Sequence, residues 1–285
     1  MLLKVEKVLA SFGINSQDPD LLSRLKYTDG GRVRQIFGKN FKVNKGQKKG
    51  VLTAVAHLSP HDESGYNVCP FAGNCSGVCI NKTGQLVTGG SLKARVMRTL
   101  LLRLFPDEFF AQLREEVRRH VWAAKASEMV PAIRLNGTSD VKWEQYGLLD
   151  EFPEVRWYDY TKWPLEHRTP PDNYHLTYSW SEKTTEREFI DQLNAGRNVA
   201  VTMLVCTNNY KGDCRYGCHC PLPSHFKGVP VIDGDKHDAR FTEPPGHVIG
   251  LRFKRPRGGE SLQQIIDKVK RIHAEKKPSF IQIPE

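Results

Sequence analysis

Residues 51–79 read VLTAVAHLSPHDESGYNVCPFAGNCSGVC, and this stretch sets the expected fold. Its apolar start, 51–57, has the length and composition of a buried strand. The run empties into a polar loop that carries Cys69, Cys75 and Cys79 as C-x5-C-x3-C. Helices are expected next. Leu92, Val96, Leu100 and Leu104 recur at helical spacing, and Pro106, Asp107 and Glu108 suit the first turn of a second helix marked by Phe109, Leu113, Val117 and Val121. Short apolar runs at 132–135, 155–160, 175–180, 199–206, 229–232 and 248–253 read as further strands. Thr185 and Glu188 open a helix that stops at Gly196, and Ser261 and Gln264 open a last one.

Strand and helix alternating at this spacing predict an α/β fold built on a mostly parallel sheet. The expected architecture is a partial or full TIM-like (βα) barrel with the cysteine-rich loop after its first strand. An amphipathic stripe at Leu2, Val5, Leu9 and Phe12 and a hairpin around Gly30 and Gly31 precede it. No long linker or repeat interrupts the chain, so 1–285 reads as a single domain. It divides into a basic N-terminal extension (1–50), an α/β metal-binding core (51–255), and a C-terminal helix and tail (256–285).

The net charge is +10. Arg24, Lys26, Arg32, Arg34, Lys39, Lys42, Lys45, Lys48 and Lys49 crowd into 24–49 against Asp29 alone. Such a segment attracts phosphate, so nucleic acid is the expected partner, with a solvated basic surface as the plain alternative. No run approaches the roughly 20 apolar residues of a membrane span, and the first residues lack a signal-peptide pattern. A cytoplasmic location without a membrane partner follows, and there thiols stay reduced. The chain carries no G-x-x-x-x-G-K-[ST], G-x-S-x-G or H-E-x-x-H, which argues against nucleotide hydrolase, esterase and zincin chemistry.

All seven cysteines lie in two knots, the second being Cys206, Cys214, Cys218 and Cys220. Thiolates so close in sequence converge on metal at little loop-closure cost. Four ligands close a structural site, whereas three leave a coordination position open. Three states fit the first knot: a 4Fe-4S iron–sulfur cluster with one free iron, a zinc ion completed by His57, His61 or Asp62, or plain buried thiols. The second knot reads as a structural clip or a second cluster, with His219 as a stand-in ligand. In parallel sheets function gathers at the carboxyl ends of strands. That rule selects Asn136, Asp140 and Lys162 as catalytic candidates and Asn136, Ser139 and Ser179 as cofactor contacts. The plain readings are a helix cap for Ser139 and Asp140, Lys162 lying over Trp163, and a charged turn at 233–241.

Four stretches, CPFAGNCSGVCINKTG (69–84), IRLNGTSDVKWE (133–144), YDYTKWP (158–164) and VIDGDKHDARFTEPPGHVIGL (231–251), resemble the bacteriophage gene product 88 family over about residues 50–255. The resemblance implies a phage or prophage origin and action inside the bacterial host; it brings no activity with it. The architecture is also similar to radical S-adenosylmethionine enzymes, whose three thiolates hold a four-iron cluster with the open iron on the cofactor. That similarity would give the role to Cys69, Cys75 and Cys79 and makes S-adenosylmethionine a candidate cofactor. The spacing departs from it: that family uses C-x3-C-x2-C, and its glycine-rich segment has only 136–140 as a stand-in. The functional expectation is a phage-encoded iron–sulfur enzyme; the alternative is a non-enzymatic, zinc-stabilised protein that binds nucleic acid.

Overall fold

The computed structural model describes residues 2–38, 50–205, 220–275, 277 and 279–283, and its ten strands form one sheet. β1 (Phe37–Gly38) lies antiparallel to β2 (Val51–Ala56). β3 (Val130–Arg134), β4 (Arg156–Thr161), β5 (Tyr174–Ser179) and β6 (Val199–Met203) follow in parallel. β9 (Val248–Arg252) and then β8 (Val229–Asp233) continue beyond β6, also in parallel, and β7 (His225–Phe226) is antiparallel to β8. β5 pairs with β6 only at Val199 and Ala200; β10 (Ile281–Gln282) pairs with β6 at Thr202 and Met203, so it fills the edge that β5 leaves as it splays away.

The row of strands has two ends, β1 and β7, and does not close. Among the described residues a full TIM barrel is therefore not shown; they form a mostly parallel open sheet. The antiparallel strands β1 and β7 terminate the parallel run on either side, and neither pairs with the other. The sequence reading located the main strands, but the three two-residue strands β1, β7 and β10 have no periodicity to betray them.

Among the described residues the helices are α1 (Leu2–Ser11), α2 (Leu21–Lys26), α3 (Gly89–Leu104), α4 (Pro106–Ala126), α5 (Glu186–Asn194) and α6 (Leu262–Ala274). Their ends follow local chemistry. The Thr88 hydroxyl accepts from the Ser91 N–H, Pro106 opens α4, and Ser261 with Gln264 forms a complete capping box. α3 and α4 fill the crossover from β2 to β3. Leu100, Phe109, Leu113 and Val117 bury their apolar stripe against Ile133, Trp157 and Leu176 on one sheet face. α5 places Phe189 against Trp180, Val199 and Val201, and α6 places Ile265, Ile266 and Val269 with Leu204 and Ile281. Side chains alternate along strands, so Arg134, Tyr158, Tyr160, His175 and Thr177 face the other way. That second face is polar; Phe241 covers Val51, Ala132 and Tyr158 there.

The described part of the N-terminal segment belongs to the main core: Val5, Leu9, Leu25 and Ile36 pack in the same cluster as α3 and α4. A buried carboxylate fastens it. Glu116 accepts the N–H of Ile36 through both oxygens, at 2.9 and 3.0 Å, and the N–H of Phe37 at 2.9 Å. Among the described residues, no helix is long and apolar enough to cross a membrane.

Glu116→Leu removes the acceptor and strands two N–H groups at a buried position. We expect a loss of about 2–3 kcal/mol in urea denaturation, together with earlier proteolytic cleavage ahead of residue 38. Unchanged stability would show that water replaces the carboxylate.

Candidate functional site

The cysteine loop is folded over the carboxyl ends of β2, β3 and β4 by contacts that only small or polar residues can make. After β3 the backbone of Gly137 crosses the end of β2, its N–H donating to Ala56 O at 2.9 Å. A Cβ at Gly137 would stand 2.5 Å from Ala56 O, so only glycine fits. The Thr138 hydroxyl donates to Leu58 O at 2.5 Å, and the Cys69 thiol lies 3.7 Å from Thr138 O. The next residue but one, Asp140, joins three segments. Its N–H donates to Val68 O in the cysteine loop at 2.8 Å. Its carboxylate accepts the Lys162 N–H at 2.8 Å, and its carbonyl accepts the Trp163 indole N–H at 2.9 Å.

The loop itself runs through a 3-10 turn, Gly73–Val78, that carries Cys75 and leads into Cys79. Glu182, beyond the end of β5, accepts the Asn74 N–H at 2.9 Å. Gly73 has φ +50, and a Cβ there would overlap the Glu182 carboxylate at 1.9 Å. Lys82 closes the turn, donating to Ser76 O and Gly77 O at 3.1 and 3.3 Å.

Two of the three thiols meet directly, and the third lies within electrostatic reach of them. Cys79 is hydrogen-bonded to Cys75, and both, with Cys69, are close enough to feel one another's charge. The bond from Cys79 and then the Lys162 ammonium stabilise the Cys75 thiolate, whose pKa falls to about 6. Its partner Cys79 is pushed up as the donor of that bond, and burial raises Cys69 to about 11. All three are free thiols and half-buried. Among the described residues, no three His, Cys, Asp or Glu side chains are grouped for a single ion. The proposed completing ligands of a zinc site are otherwise engaged. His61 and Asp62 bond each other at 2.7 Å, and His57 lies against Gly137 at the polar face. Burial and then Arg134, Arg98 and Arg95 hold its pKa down at about 4.

The other expected residues divide. Lys162 and Asp140 do meet the cysteines. Lys162 does not lie over Trp163; Lys142 does, 4.5 Å from the ring centroid. Asp140 caps no helix; the short 3-10 turn that follows starts at Trp143, capped at Lys142. Desolvation in its buried position raises the Asp140 pKa against the pull of Lys162, Thr161 and Arg168. Asn136 is committed to its own loop: Oδ1 accepts from the Ser139 hydroxyl, the Val141 N–H and the Trp143 indole at 2.8, 2.9 and 3.0 Å. Ser139 is spent in that bond. Ser179 sits half-buried at the end of β5. The segment 233–241 is a charged turn, with Asp233 and Asp235 paired to Arg252 at 2.8 and 3.2 Å. Of the second knot, Cys206, Cys214 and Cys218 lie outside the described residues, as does His219; Cys220 is half-buried. Lys39, Lys42, Lys45, Lys48 and Lys49 lie outside them too.

Two groups escaped the sequence reading. Arg168 is fully buried and grips Glu144 through both oxygens at 2.5 and 2.9 Å, and Thr161 at 2.7 Å. Asp159, on β4, accepts the Asn136 N–H at 2.7 Å and the Tyr174 hydroxyl at 2.9 Å, 3.8 Å from Arg134. Asp159 stood in the quoted YDYTKWP stretch, but its burial is a tertiary fact.

A family model described as gene product 88 matches residues 35–273 of this chain. No curated protein and no solved structure matches it.

Burial raises the Asp159 pKa from 3.8 to about 7. Between those values the folded chain holds a proton that the unfolded chain has released, so this group's contribution to stability falls as pH rises. Asp159→Asn should flatten the decline of unfolding free energy across about pH 4–7, by at most about 1.4 kcal/mol per pH unit. An identical slope in wild type and variant would show that Arg134 keeps Asp159 ionised.

Proposed function

The chain belongs to the gene product 88 family, and from that premise we propose that it is an enzyme built around an iron–sulfur centre on Cys69, Cys75 and Cys79. The observation that supports this reading is the hydrogen-bonded pair Cys75 and Cys79 with the Lys162 ammonium on Cys75 and Cys69 within electrostatic reach, at the carboxyl edge of the sheet. Four residues from two distant segments converge where parallel sheets place their chemistry. The donor set suits the group, since soft thiolates select iron–sulfur clusters and a nearby cation offsets their charge. Such a centre supplies electron transfer, and an iron without a protein ligand supplies a position for substrate or for a small cofactor such as S-adenosylmethionine.

The chain's own residues prepare that position. The hydrogen bond from Cys79 and then Lys162 favour Cys75 as thiolate, and Asp140 holds Lys162 by its backbone N–H. Glu182 fixes the turn that presents Cys75. Zinc is the weaker version, because His61 and Asp62 bond each other rather than turning to the thiols.

A second reading, nucleic-acid binding, is favoured by a surface that the sequence did not single out. Three of the described cations of the basic segment have partners inside the fold: Lys26 pairs with Glu108, Arg24 with Asp18, and Arg34 donates to Leu25 O and Tyr27 O. On α4, Trp122 is 73% exposed. Arg118, Arg119 and Lys125, all exposed, are its neighbours one turn away on the helix. Arg118 and Arg119 share the exposed Glu115 at 3.8 and 3.6 Å, and an exposed indole beside such surface cations is a stacking platform near phosphate contacts.

Anaerobic purification with iron, sulfide and zinc measured together tests the first reading. Iron and sulfide in equal amounts are expected, with a large loss of both in Cys75→Ala; zinc without sulfide would overturn it. For the second, Trp122→Ala should weaken retention on single-stranded DNA by about 1–3 kcal/mol, and that retention should fall as salt rises. Retention unchanged in Trp122→Ala would remove α4 as the contact.

A further inference from the structure

A cleft of about 550 Å3 opens at the amino-terminal ends of β4 and β5, the edge opposite the cysteines. Its volume falls in the range of small-molecule sites. Arg156, at the start of β4, and Arg197, between α5 and β6, both line it. Among the described residues neither guanidinium has a carboxylate within ion-pair distance. Asp172 is the one carboxylate in the same lining, and two arginines around a concavity without an ion-paired carboxylate make a ready receptor for phosphate, which accepts the guanidinium fork in bidentate fashion.

The polar face adds a second and independent sign. His175 lines the cleft, and its Nε2 is buried without a hydrogen-bond partner. Two residues further along β5 on the same face, the Thr177 hydroxyl is buried and unpartnered as well. Buried polar atoms are ordinarily satisfied, so unpaired ones beside a cleft mark the place of a missing partner. Phe241 supplies an aromatic wall, and Asp172 stands exposed at the rim, where a carboxylate can accept from sugar hydroxyls.

We propose that this cleft binds a phosphate-bearing ligand of mononucleotide size. Arg156 and Arg197 take the phosphate, His175 donates to or accepts from the ligand inside, and Phe241 packs against its base. The same chemistry is offered by a free nucleotide and by the phosphorylated 5′ end of a nucleic-acid strand. The site is separate from the cysteine edge by the length of β4, roughly 17–20 Å at about 3.3 Å per residue.

Isothermal titration calorimetry on the full chain tests this with three probes: AMP, adenosine and a 5′-phosphorylated oligodeoxynucleotide. AMP or the oligonucleotide is expected to bind one per chain, with adenosine at least tenfold weaker. Arg156→Ala and Arg197→Ala should each lower the affinity tenfold or more, with the fold checked by circular dichroism. Tighter binding of AMP than of the oligonucleotide assigns the site to free nucleotides; the reverse order assigns it to strand ends. Cys75→Ala should leave binding unchanged, so this result stands apart from the fate of the metal reading. Absence of saturable binding by AMP and by the oligonucleotide, or full binding in the Arg156→Ala/Arg197→Ala double variant, would overturn the proposal.

Discussion

Asp140 is the junction on which the cysteine edge depends. One residue supplies a donor to the loop that leads into Cys69, an acceptor to the backbone of Lys162, and a carbonyl to the indole of Trp163. The carboxylate is almost fully buried, and burial costs a charged group dearly unless it is hydrogen-bonded and near a cation. Arg168, 3.8 Å away and fully buried itself, provides the cation. Together with the packing of Trp163 on Phe71 of the cysteine loop at 4.6 Å, this junction holds the loop after β4 where Lys162 meets Cys75. Asp140 therefore acts as a positioning residue.

The consequence is an asymmetry between the two sheet faces and between the two sheet edges. One face is apolar and holds α3 and α4; the other carries Arg134, Tyr160, His175 and Thr177. At the carboxyl edge, Arg134 stacks on Tyr160 at 4.6 Å and pairs with Asp238 at 3.0 Å, which consumes its charge within the fold. At the amino edge, Arg156 and Arg197 have no such answer. Buried polar groups that are satisfied specify the fold, whereas those left open identify where other molecules belong.

The sequence carried the secondary structure well and the tertiary contacts poorly. Strands such as 51–57 and 155–160 were legible because burial on both faces leaves apolar runs, and α6 because Ser261 and Gln264 spell its cap. Whether a parallel sheet closes is not written in the spacing of its strands; it depended on the antiparallel ends β1 and β7. The contact between Cys75 and Cys79 was foreshadowed because the residues are neighbours in the chain. Lys162 was picked for its place after a strand, yet its partner Cys75 lies 87 residues earlier, beyond any local pattern. Asn136 was picked by the same rule and proved to be a loop brace, since an amide oxygen in a tight turn finds backbone and indole donors first. Arg168 gave no sequence signal, and Glu144 and Asp159, though inside quoted stretches, gave no sign of their burial, because the sequence does not distinguish a buried ion pair from an exposed one.

The account stands on three thiolates sharing one inorganic centre. Native mass spectrometry of the full chain, reconstituted anaerobically with iron and sulfide, measures that directly. The mass increment of a four-iron, four-sulfide cluster should be present in the wild type and missing from the Cys69→Ser/Cys75→Ser/Cys79→Ser variant. The same increment in both proteins would contradict the account and move the metal elsewhere in the chain.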